Sequence, residues 1–366
     1  GAGSAATVPV YLAAVRRGEI SVLKSGDAVV GRWKDGQGAP WEAEFAADSE
    51  QPAIRAIRAG DQAVLQGVRP VYRANTGVRR GGWDAFFDYP PSHPEGTRRY
   101  QGQLALKGIA ARSEGDRVVV ELDGFSMGPF QGRIAYTFYP ASRLIRQEAL
   151  ATPDVDNLAY LYEAAIEYDA PWDRRPGNNM ETGVGWYDTR SAFQMVYNAG
   201  LGPERIPVHV RHRMIGAQTA GGSVAVFPEP HRYFPPRDFT SNTANLWHRA
   251  WRGVVGLGIR QPDDTNWRFY PWMNAPPGRT QRMALFLQLS RGSVRAGLEE
   301  VLRYTNGDRF PALPGYKTMA VHWHVAYTVQ AMEFGANWEP PFKPVLREMG
   351  VDAAMIMDFH GDGHPR

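Results

Sequence analysis

The sequence predicts a mainly β protein: a large antiparallel β-sandwich followed by a short C-terminal α/β segment. The chain of 366 residues contains 39 Gly and 28 Pro, and from Val8 to about Leu289 its strand-like runs are short and separated by turn residues. Helical periodicity is weak over the same region and becomes clear only after Leu289. We expect a dozen or more strands, and so many antiparallel strands usually fold as two stacked sheets.

The clearest predicted element is a hairpin. Residues 103–112 and 117–122 are rich in β-forming side chains, and a turn containing Gly115-Asp116 separates them. Gly supplies the positive φ that such a turn requires. The other strand-like runs have a similar β-branched and aromatic composition and cover residues 133–139, 158–168, 208–215, 223–227 and 282–289.

Composition excludes several classes of protein. Hydrophobic residues make up 43% and charged residues 22%, which excludes a disordered or fibrous chain. The formal charge of +3 argues against nucleic acid as the main partner. No uncharged apolar run reaches about 18 residues, so we expect no membrane span. Cysteine is absent, which fits a periplasmic or extracellular protein that avoids thiols and is also compatible with the cytoplasm.

Aromatic residues cluster in one stretch of the predicted sandwich. Four of the 11 Trp lie between positions 247 and 272, among Arg and Asp side chains. Flat aromatic rings stack on the apolar face of a sugar, so Trp247, Trp251 and Trp267 are candidate glycan-binding residues. The alternative is that these rings fill a thick sandwich core. Trp247 and Trp251 would share a face if this stretch were helical.

Residues 131–148 and 157–164 resemble, in their succession of aromatic, β-branched and Arg residues, the large β-sandwiches that accompany bacterial carbohydrate-active enzymes. Those domains have the galactose-mutarotase-like "supersandwich" fold. The resemblance covers about 280 residues and contains no diagnostic motif. It implies a supersandwich in residues 8–289 and a role with carbohydrate in an exported bacterial system.

The pattern changes in the last part of the chain. Residues 294–304 predict a helix with Leu298, Val301 and Leu302 on one face, and we assign it to a linking helix and turn over residues 290–316. Residues 318–324 then predict a strand, residues 342–349 a helix and residues 351–358 a second buried strand. This is a βαβ order, which favours parallel pairing of its two strands.

Imidazole and carboxylate groups gather where these two predicted strands end. His322 and His324 share one face of the first strand because they are two residues apart, and Asp358 and His360 follow the second strand. Such ligands suit a divalent transition metal, namely Zn, Mn or Fe. A histidine pair packed at a domain junction is the alternative.

The order His-x-His, helix, Gly-Val-Asp, strand and Asp-x-His resembles the opening of a PHP-type metal-dependent hydrolase barrel. His322 and His324 match the first motif of that family and His360 matches the second. The family's second motif has Asp and His adjacent, whereas here Phe359 separates Asp358 from His360, which leaves open which of the two is the ligand. The resemblance implies a partial α/β domain over residues 317–366.

The leading interpretation is therefore a glycan-binding β-sandwich fused to the start of a metal-dependent hydrolase domain. A complete barrel needs about 200 further residues, so a longer natural chain or a second chain would have to supply the rest and the catalytic residues. The alternative is a non-catalytic structural or assembly protein whose sandwich mediates protein contacts.

Overall fold

The computed structural model confirms the mainly β fold class, with 61% strand and 10% helix. The chain divides into two compact units, Gly1–Asp308 and Arg309–Arg366. None of the helices that can be described is long and apolar enough to cross a membrane. The structure describes residues 10–11, 14–48, 52–79, 96–170, 183–197, 203–229, 244–261, 272–308, 314–321, 325–335 and 337–356.

The first unit consists mostly of strands. In chain order they are β1 (Val10–Tyr11), β2 (Val15–Arg17), β3 (Ile20–Ser25), β4 (Ala28–Lys34), β5 (Pro40–Ala46), β6 (Ile54–Ala59), β7 (Gln62–Val78), β8 (Thr97–Gln101), β9 (Gln103–Glu114), β10 (Arg117–Met127), β11 (Phe130–Phe138), β12 (Leu144–Pro153), β13 (Leu158–Asp169), β14 (Gly183–Tyr187), β15 (Phe193–Tyr197), β16 (Ile206–Val208), β17 (Ile215–Thr219), β18 (Gly222–Phe227), β19 (Leu246–Trp251), β20 (Val254–Arg260), β21 (Met273–Asn274) and β22 (Gln281–Ser290).

These strands form two sheets. The described strands of one sheet number ten, in the order β1-β9-β10-β11-β12-β22-β18-β17-β14-β15. The other has twelve described strands, in the order β16-β19-β20-β13-β7-β6-β5-β4-β3-β2, with β8 beside β7 and β21 beside β13. The predicted hairpin is confirmed: β9 and β10 pair antiparallel, and Gly115 in their turn has φ 63°.

The two sheets pack face to face through one hydrophobic core. Aromatic rings from opposite sheets contact each other across it. Phe45 on β5 lies 5.4 Å from the ring centre of Tyr136 on β11, and Tyr72 on β7 lies 5.5 Å from Phe125 on β10. Large buried rings of this kind contribute much of the apolar area that stabilises a sandwich.

A single long strand, β7, spans two parts of the twelve-stranded sheet. Its first half pairs with β6 and its second half pairs with β13. Gly67 lies near the end of the part that pairs with β6, two residues before the pairing with β13 begins at Arg69. Its φ is 59°, a conformation that Gly adopts without strain. A side chain at Gly67 would also clash, because its Cβ would lie 2.0 Å from the Asp169 carboxylate.

The predicted helix 294–304 forms as α1 (Val294–Tyr304). The Ser293 hydroxyl caps it by accepting the Ala296 N–H at 3.3 Å, as Ser commonly does at an N-cap. Its apolar face, with Val294, Leu298 and Val301, packs on the ten-stranded sheet. This helix, which the sequence placed in a linking segment, is therefore packed on the sandwich.

The second unit contains the predicted βαβ order. Its described elements are β23 (Thr318–Val321), α2 (Val325–Phe334), α3 (Phe342–Glu348) and β24 (Ala353–Ile356). β23 and β24 pair in parallel, with Thr318 opposite Ala353 and Val321 opposite Ile356. The sequence pattern had indicated α3 but not α2.

Candidate functional site: a polar cleft on the twelve-stranded sheet

An open cleft of about 310 Å³ lies on the twelve-stranded sheet. Strands β7, β8 and β13 and the residue that follows β20 form its walls. The side chains that give it its chemistry are polar or charged: Arg73, Asn75, Arg99, Gln101, Glu163 and Gln261. The volume is at the lower end of the range of small-molecule sites.

Strand alternation places these groups together. On β13, Tyr160, Tyr162 and Ala164 point into the core, so Glu163 points to the opposite face. Register then places Arg73 of β7 beside Glu163. Across β7, Gln101 of β8 lies beside Arg73.

The Glu163 carboxylate is bound by the guanidinium of Arg205, a residue that does not itself line the cleft. Arg205, just before β16, donates from Nη1 to Glu163 Oε2 at 2.6 Å. The pKa of Arg205 is lowered to about 10, mainly by burial; Glu163 opposes this shift, and the positive charges of Arg73 and Arg249 add to it. The guanidinium remains protonated at neutral pH, because that pKa is still well above 7.

Arg205 also lies on an aromatic ring. Its Cζ is 4.2 Å from the ring centre of Trp247, a cation–π contact worth about 0.5–2 kcal/mol. The indole in turn lies against Gly258 of β20, where an added Cβ would come within 2.8 Å of Trp247 Nε1 and Cε2. Gly258, Trp247, Arg205 and Glu163 thus form one stack that leads from the sheet backbone to the cleft.

A second ion pair continues along the same face. Arg249 on β19 contacts Glu167 on β13 at 2.5 Å. Because Glu163 and Glu167 are four residues apart in a strand, both carboxylates project from the same face. Glu163 therefore pairs with Arg205, and Glu167 pairs with Arg249.

The structure describes two of the three predicted glycan-binding tryptophans, and it places them apart. Trp247 is only 1% exposed, and with Arg205 above it and Gly258 below it, the ring does not offer a face for stacking on a sugar. Trp251 is 49% exposed but is at the far end of β19 from the cleft, paired with Val254. Trp267 lies outside the described residues.

The stretch that contains Trp247 and Trp251 is strand β19 and not a helix, so the helical condition for their sharing a face does not apply. The two residues still share a face, since residues separated by an even number along a strand point the same way. Their rings start about 13 Å apart along the strand, at about 3.3 Å per residue.

The predicted metal ligands His322, His324, Asp358 and His360 all lie outside the residues that the structure describes. Within the described ranges, no group of three or more His, Cys, Asp or Glu side chains is arranged to hold a metal ion. The metal site therefore stays a prediction.

Sequence reasoning did not find the cleft residues Arg73, Asn75, Arg99, Gln101, Glu163 or Gln261. A signal was present in β13, where Glu163 and Glu167 interrupt an otherwise apolar run at an even spacing. In a strand buried on one face, such a pattern predicts two carboxylates on the other face. It does not indicate which residues of other strands lie beside them.

No protein-family model matches the chain, and a comparison with curated proteins found no match. A comparison with solved structures found distant likenesses. An aldose 1-epimerase from Klebsiella pneumoniae has 8% identity and a TM-score of 0.38, with 78% of this chain and 86% of that chain covered.

Two glycosidases are also among the similar structures. An alpha-mannosidase from Enterococcus faecalis has 10% identity and a TM-score of 0.33, over 81% of this chain and 32% of that one. An alpha-N-acetylgalactosaminidase from Bifidobacterium bifidum has 12% identity and a TM-score of 0.35, over 90% of this chain and 50% of that one. At TM-scores this low, these likenesses carry no argument about what this chain binds.

Proposed function

We propose that this protein binds a glycan in the cleft formed by β7, β8 and β13. The observation that carries the proposal is the convergence of Arg, Asn, Gln and Glu side chains on one open cleft of about 310 Å³. A sugar presents many hydroxyl groups, each of which is both a donor and an acceptor. A wall that mixes guanidinium and amide donors with carboxylate and amide acceptors matches that chemistry.

The stack behind the cleft supports binding by a preorganised site. Arg205 is fixed between Trp247 and Glu163, so the Glu163 carboxylate is oriented before any ligand arrives. Groups that are already held in place lose less side-chain entropy on binding, which favours affinity. Asn75 is similarly held, because its Oδ1 accepts the Nε–H of Arg99 at 3.3 Å.

A glycan array probed with the whole chain tests the proposal. We expect binding by the wild-type protein and at least tenfold weaker binding by Asn75→Ala and Gln101→Ala, because each variant removes hydrogen bonds worth about 0.5–1.5 kcal/mol each. Trp251→Ala is the matched control, since Trp251 lies outside the cleft. It should bind like the wild type.

Three results would contradict the proposal. Absence of binding to any glycan would refute the glycan function. Loss of binding in Trp251→Ala with normal binding in Asn75→Ala would place the site at the exposed tryptophan. A stable dimer that buries Trp251 and binds no sugar would favour the structural or assembly role instead.

We also propose that the second unit begins a metal-dependent hydrolase domain, with His322, His324, His360 and Asp358 as the candidate ligands of Zn, Mn or Fe. The parallel pairing of β23 with β24 supports this, because parallel strands end at the same edge of a sheet. In the sequence, His322 directly follows β23 and Asp358 follows β24 by two positions.

Elemental analysis of protein purified without chelator tests the metal proposal. We expect about one metal ion per chain, absent from the His322→Ala/His324→Ala double variant and present in His209→Ala, whose histidine is in the first unit. Binding should weaken below about pH 6, as imidazoles take up protons. Equal metal content in all three proteins would refute the site.

We further propose that the protein acts in an exported bacterial system, which fits the absence of cysteine. Fractionation of the native source, followed by detection with an antibody, tests this directly. Recovery only with cytoplasmic markers would contradict it.

A further inference from the structure

Arg73 lines the cleft, but none of the described residues pairs with its guanidinium. Arg73 is half-buried in the middle of β7 and lines the cleft. Its neighbour in register on one side is Glu163, yet the Glu163 carboxylate is bound by Arg205. Within the part of the chain that the structure describes, no hydrogen bond or ion pair engages the Arg73 side chain.

The ion pairs around Arg73 are complete without it. Arg205 pairs with Glu163, Arg249 pairs with Glu167, and further along β7 Arg69 pairs with Asp169. Arg73 and Arg205 repel each other, since the charge of Arg73 lowers the pKa of Arg205. The cleft therefore contains a positive charge with no counter-ion among the described side chains.

A half-buried cation without a counter-ion is costly, because it has lost part of its hydration. An incoming anion removes that cost. The planar guanidinium donates two parallel N–H groups, a geometry that matches a carboxylate in a bidentate pair. The neighbouring Gln101 side chain also lines the cleft, and its amide can hydrogen-bond to sugar hydroxyl groups.

We propose that Arg73 is the anion-binding residue of the cleft and that the glycan bound there carries carboxylates, as uronic-acid oligosaccharides do. This inference rests on the proposed glycan function and narrows it to one chemical class. Neutral glycans would lack the group that Arg73 binds. The sugar ring itself is contacted by the amide and carboxylate side chains of the walls.

Calorimetric titration of the whole chain with matched ligands tests this. The probes are tetrasaccharides of galacturonate, mannuronate and guluronate, each compared with its full methyl ester, which has the same ring but no charge. We expect at least one uronate to bind, and its ester to bind about ten- to a hundredfold more weakly, as expected for loss of a hydrogen-bonded charge pair. Higher salt should reduce the difference.

Variants at Arg73 assign the effect to one side chain. Arg73→Gln should lower uronate affinity to that of the ester, and Arg73→Lys should retain part of it, because charge remains but the bidentate geometry is lost. Arg58→Gln is the matched control, since Arg58 lies on β6 of the same sheet, is also half-buried and is outside the cleft. Unchanged urea midpoints would show that all three variants fold.

The outcomes separate this inference from the broader proposal. If acid and ester bind equally well, or only neutral or sulfated glycans bind at the cleft, the carboxylate class is refuted while glycan binding stands. If Arg73→Gln retains the preference for the acid, another residue binds the anion and the role of Arg73 is refuted. If no saccharide binds, both proposals fail.

Discussion

Replacement of Gly258 by Ala should disrupt the stack that supports the cleft. Gly258 is on β20, directly opposite Ala165 of β13 in the ladder. A Cβ at this position would lie 2.5 Å from Ala165 Cβ and 2.8 Å from two atoms of the Trp247 indole. Ordinary carbon–carbon contacts are about 3.5–4.0 Å. The Ala165 Cβ, the Trp247 indole or the backbone at Gly258 must therefore move by about 1 Å.

The neighbours of Gly258 have little room to yield. The Ala165 Cβ is fixed by the backbone of a paired strand, and the Trp247 ring is covered by Arg205 at 4.2 Å. Overpacking of this kind typically costs about 1–3 kcal/mol, and displacement of the indole also weakens the cation–π contact. We therefore expect Gly258→Ala to lower the free energy of unfolding by about 2–3 kcal/mol.

Urea unfolding followed by far-UV circular dichroism measures this loss. The matched control is Gly31→Ala on β4 of the same sheet, where an added Cβ would have its nearest neighbours at 3.8–3.9 Å, which is ordinary contact. We expect this control to be as stable as the wild type or slightly more stable, because Ala restricts the unfolded chain. Equal stability of Gly258→Ala and Gly31→Ala would show that Trp247 and Ala165 do not confine this position.

Three further predictions concern stability. Burial lowers the pKa of His248 to about 4, whereas the unfolded value is about 6.5. The unfolded chain therefore takes up the proton first, and stability should fall by up to about 3 kcal/mol as the pH drops from about 6.5 to 4. Urea unfolding at a series of pH values should show that His248→Gln lacks this component. Glu148 is buried and accepts hydrogen bonds from Arg146 at 2.6 Å and from two nitrogens of Arg282 at 2.8 Å, so Glu148→Gln should cost about 3 kcal/mol in the same assay. The exposed Glu114→Gln should cost less than about 1 kcal/mol. Leu298→Ala, on the buried face of α1, should lower the melting temperature of the sandwich and cost about 3 kcal/mol, whereas an unchanged transition would mean that α1 is not part of its cooperative unit.

The sequence alone determined the local structure of this protein. The β9–β10 hairpin, helix α1 and the strand order of the second unit all follow from alternation, helical periodicity and turn residues, which depend on neighbours a few positions away. The prediction of two stacked sheets also held, because many short amphipathic strands have few other ways to bury one face.

Only the tertiary structure decided which strands lie side by side and which residues therefore form a site. Alternation shows that Glu163 faces away from the core, but pairing across β7 and β13 brings Arg73 beside it. The burial of Trp247 depends on Gly258 below it and Arg205 above it, each contributed by a different strand or loop. A periodic pattern encodes the face on which a side chain lies. It does not encode strand register or the residues that cover that face, because long-range packing sets both.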